Sequence, residues 1–321
     1  MSPKQILTKI INNYKIHVAY NYDKKRYRKF STTISTEQAL IARIIKVYHG
    51  IEKGLTMPAF RFGFGIDRMK QLIGLCNIYI RKYDSINIQL IQAIKVIKEY
   101  KVFHDSSSFA IDPSLDSQIS SILNKFPDLV EDNQLNFTSD NYFSNINSKF
   151  DDFAFSRHSV RSFSETQIDD NLIKEAVNIA QSTPSACNRQ PVRVKIVSDK
   201  TIMSSILALQ GGNRGFGESI NKLIILTSYI GGYNKAYERS CCYVDGGMYL
   251  MNLVYALHFK KIATCILNWS VYPDIDKKIR KITKLAEDEV IIGLIACGIP
   301  QDNFKVTSSH RNSGEKITIL I

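Results

Sequence analysis

Apolar residues recur at helical spacing through the first third of the chain. Ile6, Leu7, Ile10, Ile11 and Tyr14 fall on one face, and Leu40, Ile41, Ile44, Ile45 and Tyr48 on another. A Ser35-to-Gln38 capping box opens the second helix and Gly50 closes it. Residues 67–83 and 87–104 predict two further helices, the latter with Ile91, Ile94, Val96 and Ile97 inward. From residue 151 the pattern changes to strands alternating with helices. Strands fit 192–197, 223–229, 263–269 and 290–297; helices fit 201–210, 241–259 and 274–285. Such alternation predicts a sheet wrapped by helices, preceded by an all-helical region whose stripes need a partner surface.

The stretch between these regions is rich in Asp, Asn and Ser, with one short helix expected over 117–126. We therefore expect three parts: a helical extension over 1–104, a bridging segment over 105–150 and a catalytic domain over 151–321. Charge follows the same division. Residues 1–103 hold 19 basic against 6 acidic side chains, residues 104–150 hold 2 against 7, and the remainder 21 against 17. The basic excess, including the run KKRYRK at 24–29, is thus a property of the N-terminal third. No run of eighteen apolar residues and no signal peptide is apparent, so a cytoplasmic protein without a membrane partner is expected. The six cysteines form no CxxC pair and no zinc-site spacing with histidine, so reduced thiols and no metal are expected.

Two strings carry the chemistry. RHSVRSF, at 157–163, places two arginines and a serine on alternating positions, a donor set suited to phosphate and to an electron-rich ring. TPSACNRQP, at 183–191, is a Pro-Ser loop whose Asn188 and Gln190 amides suit a planar heterocycle. Asp169 or Asp170 caps an intervening helix with Leu172, Ile173, Ala176, Val177, Ile179 and Ala180 on one face. Strand, helix and loop are expected to bring both strings to one edge of the sheet.

Together the strings resemble the flavin site of the nitroreductase family, whose pattern is Arg-x-Ser-x-Arg/Lys-x-Phe followed by Pro-Ser-x-x-Asn-x-Gln-Pro. The resemblance covers about half the chain. It implies an α+β fold with a nitroreductase-like mixed sheet flanked by helices. It also implies FMN as cofactor, NAD(P)H as electron donor, a small-molecule acceptor such as a nitro compound or quinone, ping-pong turnover and a homodimer.

By the same resemblance Arg157, His158 and Ser159, with Lys305, Ser309 and Arg311, would hold the phosphate. Pro184, Ser185, Asn188 and Gln190 would meet the ribityl chain or ring, with the second subunit as a candidate source. Asn213 and the backbone around Leu267, Asn268 and Trp269 would approach the flavin, while Arg161, supported by Arg214, would stabilise charge on the reduced ring. The long helix at 245–257 is expected to bury Met248, Met251 and Leu253. Val192 stands where many relatives carry an aromatic residue, and the helical extension lies outside the minimal family core, so substrate preference does not transfer.

HGIEKGLTMPAFRFGFG, at 49–65, reads as a glycine-rich connector with Phe60, Phe62 and Phe64 packed on neighbouring helices. In its functional reading, His49, Glu52, Lys53 and Arg61 select the substrate. Two other classes stay open. One is a specialised oxidative reaction on the same fold; the other is a polyanion binder using the basic extension, which no zinc-finger, RNA-recognition or helix-turn-helix signature supports.

Overall fold

A computed structural model describes residues 2–30, 34–58, 61–84, 86–107, 109–130 and 134–321. Phe60, named in the sequence reading, lies outside the described residues. The chain divides into two compact units: Met1–Asp23 with Phe137–Phe304, and Lys24–Asn136 with Lys305–Ile321. The division groups the chain's first residues with the sheet and its last with the helices.

Helix α1 spans Pro3–Phe30. The helical unit then holds α2 (Glu37–Leu55), α3 (Ile66–Lys82), α4 (Ile88–Asp105) and α5 (Pro113–Leu123). Leu40, Ile44 and Ile51 of α2 meet Leu72 and Cys76 of α3, Ile94 and Ile97 of α4 and Ile119 of α5 in one core. Thr36, not Ser35, caps α2 by accepting from the Ala39 amide.

The same helix runs five residues past its expected end. Gly50 and Gly54 lie inside it because neighbours occupy the space of a side chain: a Cβ would fall 1.9 Å from Arg68 Nη1 and 2.0 Å from the Phe64 ring. Close packing outweighs the roughly 1 kcal/mol helix penalty of each glycine. His49, Glu52 and Lys53 are therefore helical residues. Phe62 and Phe64 do pack on α4, through Phe103 and Tyr100.

In the other unit, β1 (Leu135–Thr138), α6 (Ser139–Tyr142), α7 (Phe150–Ser156) and α8 (Asp170–Ala180) precede the sheet. Then follow β2 (Val192–Val197), α9 (Lys200–Leu209), β3 (Lys222–Tyr229), α10 (Cys241–Phe259), β4 (Ala263–Leu267), α11 (Pro273–Thr283), β5 (Glu289–Gly298), β6 (Asn303–Val306) and α12 (Gly314–Ile317), the last in the helical unit. The order β2-β3-β5-β4 is antiparallel at every pairing, and β1 pairs with β6. Among the described residues the parallel contribution is a single bridge, Ser159 to Thr264. The fold class is α+β.

Helix α10 lies on the sheet, burying Tyr249, Leu253, Val254 and Leu257 with α8's Ile173 and Ala176. Two expectations fail on these helices. Met248 and Met251 are exposed, as are Val244 and Phe259 on the same face. Leu172 and Ile179 of α8 are exposed too, because its buried stripe is the narrower set Ile173, Ala176 and Ala180. Helix α1 buries none of its residues, so its apolar stripe stays exposed.

Candidate functional site

The RHSVRSF string is fixed on both sides by backbone hydrogen bonds. Val160 donates to the Thr264 carbonyl at 2.9 Å, and Ser164 to that of Ile299 at 2.8 Å. Phe163 bridges to Pro300, and its ring occupies the space that a Cβ on Gly298 would need, 2.4 Å from the nearest ring atom. Tyr142 clamps His158 by donating to its carbonyl at 2.8 Å and accepting from its amide at 3.1 Å. Ser159 thereby sits beside edge strand β4.

This anchorage holds the two arginines in place. Arg161 is buried, with Nη1 donating to the Ser159 carbonyl at 3.4 Å. The Nε atoms of both Arg157 and Arg161 are buried without a hydrogen-bond partner. Such orphaned donors cost about 1–3 kcal/mol each, more for charged groups. Behind Arg157, His258 packs among Tyr142, Phe143 and Phe153 and shares a 2.9 Å hydrogen bond with Ser156 Oγ. Burial first, then the charges of Arg157 and His158, lowers its pKa to about 4.

The Pro-Ser loop is built differently. Cys187, Asn188 and Gln190 all have positive φ, 53°, 54° and 49°, a region that costs most side chains roughly 1–2 kcal/mol. Buried Asp245 of α10 holds the loop, its Oδ2 accepting from the Ala186 amide at 3.0 Å and the Tyr233 hydroxyl at 2.5 Å. Burial, then Asp245 itself, pushes the Tyr233 phenol well above its ordinary range. Ser185 Oγ accepts from the Gln190 amide at 2.9 Å. A pocket of about 130 Å³ opens between Thr183, Ser185, Gln190, Asp245 and Tyr249. Arg189 pairs with Glu238 at 2.7 Å and lies over the Tyr233 ring.

Strand register separates the two strings, contrary to the expectation of one shared edge. Ser159 is level with Thr264, which pairs with Cys297, which pairs with Lys222, one position beyond the last pairing of β2, Val197 with Leu223. The Pro-Ser loop enters at Pro191, just before the other end of β2. The strings therefore occupy diagonal corners, roughly 19 Å apart across four strand spacings and roughly 20 Å apart along the strands. Periodicity predicts each strand, but not their order.

Other expected residues gather on the β4 side. Gln210 donates to the Asn268 carbonyl at 3.0 Å, tying the Asn213–Arg214 turn to the end of β4. Asn213 spends its amide on the end of α9, donating to the Leu207 carbonyl at 2.8 Å, while Arg214 is exposed. Leu267 is buried, and the Trp269 indole donates to Asp276 at 3.1 Å. Pro184 is exposed at the opposite corner.

Lys305, Ser309 and Arg311 belong to the helical unit, where Ser309 (φ 45°) hydrogen-bonds Thr307 at 2.7 Å and exposed Arg311 donates to the Ser309 carbonyl. In that unit His49 meets fully buried Glu52 at 3.0 Å, and the second Glu52 oxygen is buried without a partner. Lys53 is half-buried and Arg61 exposed. Sequence reasoning missed Tyr142, Gln210, Tyr233 and Asp245. Asp245, a lone carboxylate heading an apolar helix, was the visible signal. Among the described residues no cluster of His, Cys, Asp and Glu could hold a metal ion, and no helix is long and apolar enough to cross a membrane.

No curated protein matches the chain. Among solved structures it is similar to a nitroreductase family protein from Streptococcus pneumoniae TIGR4 (18% identity, TM-score 0.45, covering 54% of this chain and 100% of that one). Another is a nitroreductase family protein from Clostridium difficile 630 (16%, 0.44, 52% and 95%). A third, from Desulfovibrio desulfuricans, is described as a nitroreductase in complex with FMN (16%, 0.43, 52% and 94%). Residues 154–212, which include both strings, match the model of the nitroreductase family.

Proposed function

We propose that the protein is an FMN-dependent oxidoreductase working as a homodimer, each site assembled from the RHSVRSF corner of one copy and the Pro-Ser corner of the other. The observation that carries this reading is the diagonal separation of the two strings, each already fixed to its own corner. The exposed face of α10, with Val244, Met248, Met251 and Phe259, offers apolar area for the second copy.

The residues present fit FMN. Half-buried Arg157 and buried Arg161 each carry a buried, unpartnered Nε–H, the donor that an anionic phosphate or flavin oxygen satisfies. The chemistry supplied by a bound flavin is acceptance of hydride from NAD(P)H and its delivery to a small organic acceptor. Arg157, His158 and Ser159 bind the phosphate. Arg161, held in place before reaction, stabilises negative charge at the N1–O2 side of the ring, with Arg214 in support. Pro184, Ser185, Asn188 and Gln190 close on the ring from the second copy, and Asn213 and Leu267–Trp269 line it on the β4 side.

The chain has no Gly-x-Gly-x-x-Gly fingerprint for a separate dinucleotide site, so donor and acceptor use one site in turn and double-reciprocal plots are parallel. Heat release of the cofactor followed by chromatography tests the central assignment. Stoichiometric FMN is expected; FAD, or no flavin after saturation with FMN, would overturn it.

A further inference from the structure

Helix α1 has 28 residues and buries none of them. Its described side chains are all exposed apart from half-buried Ala19 and Asp23. Those two lie one turn apart, and Asp23 receives a bidentate pair of hydrogen bonds from Arg239, at 2.6 and 2.9 Å. This pair ties the helix to the turn ahead of α10.

The opposite face is patterned in two halves. At 3.6 residues per turn, Ile6, Leu7, Ile10, Ile11, Tyr14 and Val18 share a face about half a turn from the Ala19–Asp23 line, and they are 43% to 69% exposed. Further along, the same face carries Lys24, Lys25 and Lys29, all exposed. The whole helix has eight basic residues against one acidic, and that one, Asp23, is spent on Arg239. An apolar stripe that becomes a basic stripe on the same face suits a surface that is itself oily below and anionic above.

We infer that α1 is an interfacial helix that docks the protein on an anionic lipid surface, its first half sunk among acyl chains and its second half on headgroups. This inference does not rest on the flavin reading. It revises the expectation of no membrane partner, which came from the absence of a spanning run; lying on a bilayer needs no such run. A nucleic acid would match the lysines but offer no apolar phase to Ile6, Leu7, Ile10 and Ile11. A second copy of the chain would set the lysines against each other in a parallel two-fold pair, and against the apolar half in an antiparallel one, so neither pairing matches both halves.

Flotation of the full-length protein with phosphatidylcholine vesicles, with and without phosphatidylserine, tests this. Binding is expected to the anionic vesicles alone and to weaken with salt. The exposed triple variant Lys24→Gln/Lys25→Gln/Lys29→Gln should bind on the order of 100-fold more weakly. Ile6→Ser/Ile10→Ser should also release the protein, and both variants should keep the wild-type circular dichroism. Three results would overturn the inference. They are absence of vesicle binding, vesicle binding that both variants leave unchanged, and binding to RNA that the lysine variant abolishes while vesicles are ignored. Self-association lost in Ile6→Ser/Ile10→Ser, without vesicle binding, would hand the stripe to a second copy instead.

Discussion

The two corners of the sheet present polar groups in opposite ways. At the β4 corner the RHSVRSF string is fixed by backbone hydrogen bonds on both sides, and it leaves the Nε donors of Arg157 and Arg161 unpaired. At the β2 corner the Pro-Ser loop keeps three side-chain-bearing residues at positive φ, and Asp245 restrains it from outside. The first corner is rigid and electrostatically unfinished; the second is strained and externally braced. On the proposed reading the two corners hold the flavin only together, and strain of this kind persists where surrounding structure over-determines the backbone.

Substitutions at the rigid corner should have the largest effects. Arg161→Ala should slow flavin reduction by roughly 10²–10³-fold, the cost of removing one preorganised charge-stabilising group. Arg157→Ala should act on binding instead, weakening FMN by about 1.5–3 kcal/mol. Stopped-flow reduction and flavin titration separate the two; matching behaviour of both variants would erase the division of roles.

Acid should attack the same corner. The folded pKa of His258 is lowered to about 4, so between about 6.5 and 4 the unfolded chain binds a proton that the folded one refuses. Stability should therefore fall as pH drops through that window, by on the order of 3 kcal/mol, and level off below it. Urea melts of His258→Phe should show a flatter profile over the same range; an unchanged slope would place the acid sensitivity elsewhere.

The braced corner should respond more gently. Asp245→Asn keeps the size of the side chain but trades a charged acceptor for a neutral one, and should cost about 1 kcal/mol of stability and loosen the Pro-Ser loop. Proteolysis within residues 183–191 should quicken while the RHSVRSF string stays protected. Smallest of all, Cys187→Gly should relieve a left-handed residue and change stability by no more than about 1 kcal/mol in either direction, since glycine's added unfolded-state freedom opposes the relief. Thermal melts with unchanged flavin content are the expected outcome.

These corners also show what could be read from residues alone. Helix and strand positions in the catalytic half were legible because period and caps are local: Asp169 caps α8, and 192–197 and 241–259 are as expected. The family strings were legible because spacing of donors is local too. Strand order was not, since β2 and β4 have similar apolar runs and nothing in either says which edge it takes. Gly50 misled because glycine ends helices by conformational freedom, whereas here the Arg68 side chain lies in the space a Cβ would take. Met248 and Met251 misled because an apolar helix reads as core whether its second face meets the same chain or another.

The claim that each site spans two copies is tested most directly by complementation. Arg161→Ala carries a broken β4 corner, and Asn188→Ala/Gln190→Ala a broken β2 corner. Coexpressed with different tags and purified as a heterodimer, the pair should regain one intact site, because the unaltered corners of the two chains meet across a two-fold interface. About half the wild-type rate of flavin reduction is expected from the heterodimer, against near-zero rates for either variant homodimer. A heterodimer as inactive as its parents would mean that both corners serve a site within one chain, and would contradict the account.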